Sequence, residues 1–145
     1  MFTSLFRIRK INKTYLGIVS GQLQKTEGTL IDDLHHYDKK KKIITRAVTH
    51  FKVLDSNGKF SLIKLNPETG RKHQLRKQLL LCGHPIIGDD KYKLFNKNSF
   101  KKNTLMLHAF KINFSIDGAK YKFLARLPIV FEKFLNEKYL KNFEL

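Results

Sequence analysis

Alternating apolar and polar residues over several short segments predict strands joined in hairpins. The segment KTYLGIVSG, residues 13–21, is apolar at its centre and ends at a glycine, which is typical of a strand. The segment RAVTHFKVLDSNGKFSLIKL, residues 46–65, has apolar runs on both sides of Asn57-Gly58. Asn and Gly tolerate the positive φ of a type I′ turn, so this pair predicts a tight hairpin.

Three stretches lack a clear apolar period and predict irregular structure. Residues 22–46 are polar, and DKKKK at 38–42 within them predicts an exposed loop. The segment NPETG, residues 66–70, ends the preceding strand. Residues 93–103 are polar and basic, which predicts an excursion on the surface.

A helix is predicted over residues 71–82. Leu75, Leu79 and Cys82 recur at helical spacing, and Gly83 is placed to end the helix.

The C-terminal part of the chain predicts a second hairpin followed by a helix. Residues 105–128 form two strand-like runs with Asp117-Gly118 between them. Pro128 suits the first turn of a helix. Helical spacing then relates Phe131, Phe134, Leu135 and Tyr139. Hairpins with a few flanking helices predict an α+β fold with a mixed, mainly antiparallel sheet, in one domain over residues 1–145.

The net charge narrows the possible partners. The chain has 145 residues, with 29 Lys and Arg against 12 Asp and Glu, for a net charge of +17. Such an excess favours binding to polyanions, above all nucleic acid, through neutralisation of phosphates. An acidic membrane surface is the alternative, but no apolar run approaches the roughly 20 residues that span a bilayer. Because Lys, Asn and Ile are all frequent, a biased base composition of the gene is another explanation for the scattered Lys.

Cysteine use and the N-terminus predict a cytoplasmic protein. The single cysteine, Cys82, has no partner for an internal disulfide and lies in an apolar run, which predicts a buried thiol in a reducing compartment. The segment MFTSLFRIRKIN, residues 1–12, has neither the apolar core nor the cleavage site of a secretory signal.

Basic residues cluster where the helix 71–82 is predicted to begin. His73 lies three positions before Arg76 and Lys72 lies four, so these side chains share one side of the first turns. Cations are disfavoured at a helix N-terminus. Arg71, Lys72 and Arg76 therefore predict a nearby anion, either a phosphate or a carboxylate from elsewhere in the protein. A solvated basic helix start is the alternative, and spacing alone does not decide between them.

The sequence gives little indication of a metal site, a serine nucleophile or a phosphate-binding loop. The spacing of His73, Cys82 and His84 fits no zinc pattern, so no metal is predicted. Asp89-Asp90 follows a Pro-containing turn and is interpreted as a turn or cap device. The serine-nucleophile pattern GxSxG and the phosphate loop GxxxxGK[ST] are absent from the sequence. Tyr15 is either a core or edge tyrosine of its strand or an aromatic face on which a base stacks.

The segment LNPETGRKHQLRKQLLLCGHPIIGDDKY, residues 65–92, resembles the signature of the RluA-type pseudouridine synthases. That signature combines Thr-Gly-Arg-x-His-Gln-Leu-Arg with Gly-His-Pro-Ile-x-Gly-Asp and a Tyr. The segments NKTYLGIVSG, LMLHAFKINF and FLARLP resemble further family motifs in the same order. Within the family, the chain most resembles the enzymes of the large ribosomal subunit, especially the C type.

The resemblance implies isomerisation of uridine to pseudouridine in RNA, with 23S-type rRNA as partner and neither cofactor nor metal. The target base is flipped into a pocket, and an aspartate in an Arg-Leu-Asp motif breaks the glycosidic bond. Carried over, Tyr15 stacks on the base and Arg76 is the partner of that aspartate. Arg71, Lys72 and His73 line the site and the RNA path.

The sequence departs from the family pattern because the motif with the nucleophilic aspartate is missing. The family's Arg-Leu-Asp motif is expected upstream of Lys13-Thr14-Tyr15, and no Arg-Leu-Asp occurs in these 145 residues. The chain is therefore expected to be the C-terminal part of a catalytic domain, without the N-terminal RNA-binding domain, inactive alone and with apolar surface exposed. It would act with a separately encoded N-terminal half or be a relic. The alternatives are a basic RNA-binding module without catalysis and a ribosome-associated protein.

Overall fold

One antiparallel sheet carries the other elements of the protein. The computed structural model describes residues 8–94, 104–138 and 140. Within these ranges the elements are β1 (Ile8–Ser20), β2 (Glu27–Asp38), β3 (Lys41–Ser56), β4 (Phe60–Pro67), α1 (Gln74–Leu81), β5 (Leu107–Ile116), β6 (Ala119–Leu124) and α2 (Ile129–Glu137).

The strands follow the order β2-β3-β4-β1-β5-β6, and every neighbouring pair is antiparallel. Strand β1 lies inside the sheet, where Tyr15 is opposite Leu65 of β4 and Ala109 of β5. The predicted α+β class and mainly antiparallel sheet are confirmed. The central position of β1 pairs the backbone around Tyr15 with a strand on each side.

The hydrophobic core lies on both faces of the central strands. Leu62 and Ile63 are consecutive in β4 and both fully buried, which requires cover on each face because successive strand residues point to opposite sides. On one face, Phe60 meets Phe134 of α2 edge to face, with ring centroids 5.3 Å apart. The other face carries Thr49, which bonds α1 through Gln78. The two helices therefore cover opposite faces.

The interpretation of residues 22–46 as irregular is confirmed for 22–26 and was wrong for 27–46. Strands β2 and β3 form a long ribbon paired from Glu27↔Lys52 to Asp38↔Lys41. The predicted loop at 38–42 is a two-residue turn in which Lys39 and Lys40 have φ of 48° and 67°. The apolar pattern missed the ribbon because β2 is an edge strand whose burial is slight along most of its length. Backbone pairing with β3, rather than an apolar face, stabilises it.

Both predicted hairpins are confirmed, with different turns. At the first, Gly58 has φ of 90° but Asn57 does not have a positive φ, so the predicted type I′ geometry is absent. Instead, the Asn57 side-chain oxygen accepts hydrogen bonds from the N–H groups of Lys59 and Phe60. At the second, Asp117 and Gly118 both have positive φ, as a type I′ turn requires.

The helix predicted over 71–82 exists but is shorter. It begins at Gln74 because His73 adopts the left-handed conformation with φ of 54°. Gly83 ends it as predicted, with N–H groups of Gly83 and His84 bonded to the carbonyls of Leu80 and Leu79. Cys82 is exposed, so the prediction of a buried thiol was wrong.

The C-terminal helix follows Pro128 as predicted, and Phe131, Phe134 and Leu135 are its buried residues. Tyr139 and most of the predicted surface excursion at 93–103 lie outside the described residues. No helix among the described ranges is long and apolar enough to cross a membrane.

The expected exposed apolar surface is present near the β6 edge of the sheet. All six residues of β6 are exposed. Phe114 of β5 stacks with Tyr121 and Phe123 of β6, at centroid distances of 5.4 and 5.9 Å.

The lysine turn of the β2–β3 ribbon provides a test of backbone strain. The substitution Lys40→Gly should raise the free energy of unfolding by about 1 kcal/mol, because Gly adopts positive φ without the Cβ clash. Urea unfolding measures the change. Lys59→Gly is the matched control, since Lys59 does not have a positive φ and glycine there should lower stability. An equal loss of stability in both variants would refute strain at Lys40.

Candidate active site

A cleft of about 380 Å³ lies where the end of β4 and the start of α1 meet β1. Four of the five site residues predicted from the sequence line it: Tyr15, Arg71, His73 and Arg76. Lys72 is the exception, because its side chain lines a separate concavity beside α1. The cleft thus brings together a tyrosine of β1 and a basic segment more than fifty positions later in the chain.

Tyr15 is presented to the cleft by a local irregularity of β1. The pairing of β1 with β5 shifts register between Thr14 and Tyr15. Such a bulge twists the strand and redirects its side chains. Tyr15 is half-buried and packs against the hydrophobic core, so one part of its ring is held while another faces the cleft.

Helix α1 is attached to the sheet by two buried glutamines, which the sequence analysis did not single out. The side-chain amide of Gln74 donates to the carbonyl of Val48 and to the Thr49 hydroxyl, at 3.1 and 2.8 Å. Its oxygen accepts from the Thr69 hydroxyl at 2.6 Å and from the N–H of Arg71 at 3.1 Å. Gln74 therefore fixes the turn that carries Arg71.

Gln78, one helical turn later, is fully buried. Its oxygen accepts from the Thr49 hydroxyl at 2.6 Å. Its amide nitrogen lies within hydrogen-bonding distance of the carbonyls of Leu30 and Ala47 and of the Asp32 carboxylate. The spacing of four shared by Gln74/Gln78 and by Leu75/Leu79 was a usable signal, because it places both pairs toward the sheet.

His73 lies in the wall of the cleft, immediately before α1. Its Nδ1 is 3.0 Å from the hydroxyl of Tyr92. Partial burial, and then repulsion by Arg76, Lys72 and nearby lysines, lower the pKa of His73 below its usual 6.5. A lowered pKa favours the neutral imidazole, which can act as both hydrogen-bond donor and acceptor.

Arg76 forms the strongest electrostatic contact of the site. Its Nε and Nη2 donate to the two carboxylate oxygens of Asp89, each at 2.8 Å. Asp89 is 2% exposed, and its Oδ1 also accepts from the N–H groups of Lys91 and Tyr92. The guanidinium carbon lies 4.9 Å from the centroid of the Tyr92 ring. Arg76 is thus held from two sides.

The anion predicted for the basic segment is, for Arg76, a carboxylate of this same chain. The interpretation of Asp89-Asp90 as a turn device is correct for Asp89 but incomplete, because the same carboxylate carries the ion pair. Burial would raise the pKa of Asp89, but hydrogen bonds from Arg76, Tyr92 and Lys91 outweigh it and lower that pKa. The hydrogen bond to Asp89 raises the pKa of Arg76.

One carboxylate lines the cleft among the described residues, and it already has a partner. Glu68 lies at the rim, with its Oε1 2.6 Å from Nε2 of His50. Arg71, which also lines the cleft, donates from Nε to the carbonyl of Arg46 at 3.1 Å. The described residues contain no group of three or more His, Cys, Asp or Glu that could hold a metal. The described lining of the cleft therefore offers cations, an aromatic ring and one carboxylate that is engaged with His50.

Comparison with known proteins relates this chain to the RNA pseudouridylate synthases. Residues 1–81 match the family model described as RNA pseudouridylate synthase. The chain is 34% identical over 142 residues to ribosomal large subunit pseudouridine synthase D of Borreliella burgdorferi, covering 92% of this chain and 43% of that protein. It is 34% identical over 146 residues to ribosomal large subunit pseudouridine synthase C of Buchnera aphidicola subsp. Schizaphis graminum, covering 90% and 46%.

A solved structure shares the fold. Human RNA pseudouridylate synthase domain containing 4 superposes with a TM-score of 0.75 at 24% identity, over 89% of this chain and 62% of that one. The chain spans less than half the length of the two bacterial relatives described above.

Removal of the buried charge at Asp89 tests the ion pair. Asp89→Asn should lower the free energy of unfolding at pH 7 by roughly 3 kcal/mol, because it leaves Arg76 without its partner while the side-chain oxygen still caps Lys91 and Tyr92. Urea unfolding gives the value. Asp90→Asn is the control. Asp90 is exposed and its carboxylate is 3.9 Å from Arg76, so this variant should lower the free energy of unfolding by less than about 0.5 kcal/mol. Equal losses of stability in the two variants would contradict the assignment of Asp89 as the partner of Arg76.

The same pair predicts a pH dependence. Because the folded-state pKa of Asp89 is lowered, its stabilising contribution is complete above the unfolded value of about 3.9 and is lost as the pH falls through the folded value. The stability difference between the wild type and Asp89→Asn should therefore be constant at neutral pH and shrink in acid. Unfolding measured at a series of pH values checks this, and a difference that persists unchanged in acid would rule it out.

Proposed function

The chain belongs to the RNA pseudouridylate synthase family, and we propose that its cleft holds the target uridine while that nucleotide is isomerised to pseudouridine in RNA. The observation that carries the proposal is the convergence of Tyr15, Arg71, His73 and Arg76 on one cleft. Tyr15 and the segment 71–76 are more than fifty positions apart in the chain, and the fold brings them to one cleft, which supports the proposal.

In this proposal Tyr15 packs its ring against the flipped uracil. An aromatic face stabilises an extruded base by roughly 1–3 kcal/mol. The half-buried position of Tyr15 in a central strand supports this role, because a ring held by the core needs little further ordering when the base binds.

Arg76 would orient the nucleophilic carboxylate at the mouth of the cleft. Its Nε and Nη2 are engaged by Asp89, which leaves Nη1 outside that pair. A guanidinium has five N–H donors. A guanidinium that is held through Nε and Nη2 can therefore still donate from Nη1 to a second carboxylate. Asp89 would then be the residue that keeps Arg76 in position.

The nucleophile is proposed to come from outside these 145 residues. No Arg-Leu-Asp occurs in the sequence, and the carboxylate of Glu68 is bonded to His50. We assign residues 1–145 to the C-terminal portion of a catalytic domain, completed by a segment or a separately encoded half that carries the aspartate. The substrate would be rRNA of the large subunit, as the names of the two bacterial relatives suggest.

One observation favours a second candidate function, RNA binding without catalysis. The described lining of the cleft provides cationic and aromatic groups and one carboxylate, Glu68, which is engaged with His50, so it can hold a nucleotide without supplying a dedicated nucleophile.

Reconstitution distinguishes the two functions. The chain is incubated with a uridine-containing rRNA fragment, alone and together with a polypeptide that carries the Arg-Leu-Asp segment of a relative, and pseudouridine is quantified by mass spectrometry. We expect pseudouridine only in the mixture, with a loss of at least about a hundredfold for Tyr15→Ala or Arg76→Gln. The control Lys59→Gln, at an exposed turn, should match the wild type. Salt-sensitive RNA binding without pseudouridine in any mixture would support the second candidate instead.

Titration of His73 tests whether RNA enters the cleft. Partial burial and then nearby cations lower the pKa of His73 in the free protein, so bound phosphates should raise that pKa and RNA affinity should increase as the pH falls toward it. NMR of the imidazole signals measures the change with and without RNA. His108, which lies outside the cleft, serves as the control. A pKa of His73 that RNA leaves unchanged would exclude phosphate binding beside it.

A further inference from the structure

A second concavity, of about 480 Å³, lies beside the cleft and has no role in the chemistry above. The β2–β3 ribbon forms one wall, and α1 with residues 91–92 forms the other. Its basic lining consists of Arg71, Lys72, Lys77 and Lys91, with His35 and His36 of β2 beside them. We refer to it below as the basic pocket.

Among the residues that the structure describes, the four cations of the basic pocket have no acidic partner in its lining, because none of the described lining residues carries a carboxylate. Among the described residues, none of the four lies within 4.0 Å of an Asp or Glu oxygen, whereas Arg76 nearby has its own partner in Asp89. Like charges gathered in a concavity destabilise the free protein and raise the local concentration of anions. This arrangement is what a site for a polyanion requires.

The basic pocket adjoins the cleft at two residues. Arg71 lines both cavities, and it lies on the turn that Gln74 fixes. Tyr92 lies in the pocket wall while its hydroxyl contacts His73 of the cleft. A strand whose nucleotide occupies the cleft would therefore reach the pocket by passing Arg71.

We propose that the basic pocket binds backbone phosphates of the RNA strand next to the nucleotide in the cleft. The inference rests on the proposed function, since it takes RNA as the occupant of the cleft. Lys72, Lys77 and Lys91 neutralise phosphodiesters, and Arg71 spans the two sites. Tyr37 at the rim is 75% exposed and offers a ring on which a neighbouring base stacks. The pocket thereby sets the direction of the strand through the site.

The lysines of the basic pocket differ from the other surface lysines because they line one concavity together. Lys59 at the β3–β4 turn and Lys133 on α2 are also exposed, but neither lines the cleft or the basic pocket. They therefore provide controls with the same change of charge. If the excess of lysine were only a compositional bias, the two sets would contribute equally to RNA binding.

The test is the salt dependence of RNA affinity in the full chain. The double variant Lys77→Gln/Lys91→Gln is compared with Lys59→Gln/Lys133→Gln, using a short single-stranded, uridine-containing RNA over a range of salt concentrations. Each phosphate contact contributes about 0.7 to the slope of log affinity against log salt for single strands. We expect the pocket variant to reduce the slope by about 1.4 and the control to leave it nearly unchanged. Lys72→Gln/Lys77→Gln replaces the first variant if thermal unfolding shows that it is misfolded.

Two results would overturn the proposal. One is an equal change of slope in the pocket and control variants, and the other is an absence of salt-dependent RNA binding by the wild type. Polyglutamate of matched charge is the competing ligand: an equal loss of affinity for it and for RNA would show a general anion site instead. Pseudouridine formation is scored separately in the reconstituted mixture, so failure of the proposed function there is distinguishable from failure of the basic pocket.

Discussion

The site depends on the hydrogen bonds that attach α1 to the sheet through buried amides. Gln74 and Gln78 both bond the hydroxyl of Thr49, in the interior strand β3. A buried amide that loses its partner costs about 1–3 kcal/mol, so these bonds strongly favour one position of the helix. Arg76 lies between the two glutamines in the sequence, and its placement over the cleft follows from that position.

A second constraint is the conformation of His73. Its positive φ ends the extension of the helix toward the N-terminus, so Arg71 and Lys72 belong to the preceding turn. They diverge from there, with Lys72 lining the basic pocket and Arg71 lining both cavities. The left-handed residue thus divides one basic segment between two neighbouring surfaces.

Sequence reasoning found the elements that local chemistry determines. Asp117-Gly118 and Gly83 predicted turns because few residues adopt a positive φ, and the spacing of Leu75 and Leu79 identified α1. It missed β2, whose stability comes from pairing with β3 rather than from an apolar face. It also missed the pairing of Arg76 with Asp89, because thirteen positions of sequence give no indication of that contact. Of the predicted site, four residues meet in the cleft, and their chemical roles remain predictions.

A crystal structure of this chain bound to a uridine-containing RNA oligonucleotide would test the central claim most directly. The account predicts a flipped uracil packed on Tyr15 at van der Waals distance, about 4 Å, with the backbone passing Arg71. RNA bound elsewhere, for instance on the exposed aromatic stack of Phe114, Tyr121 and Phe123, with the cleft empty, would contradict it.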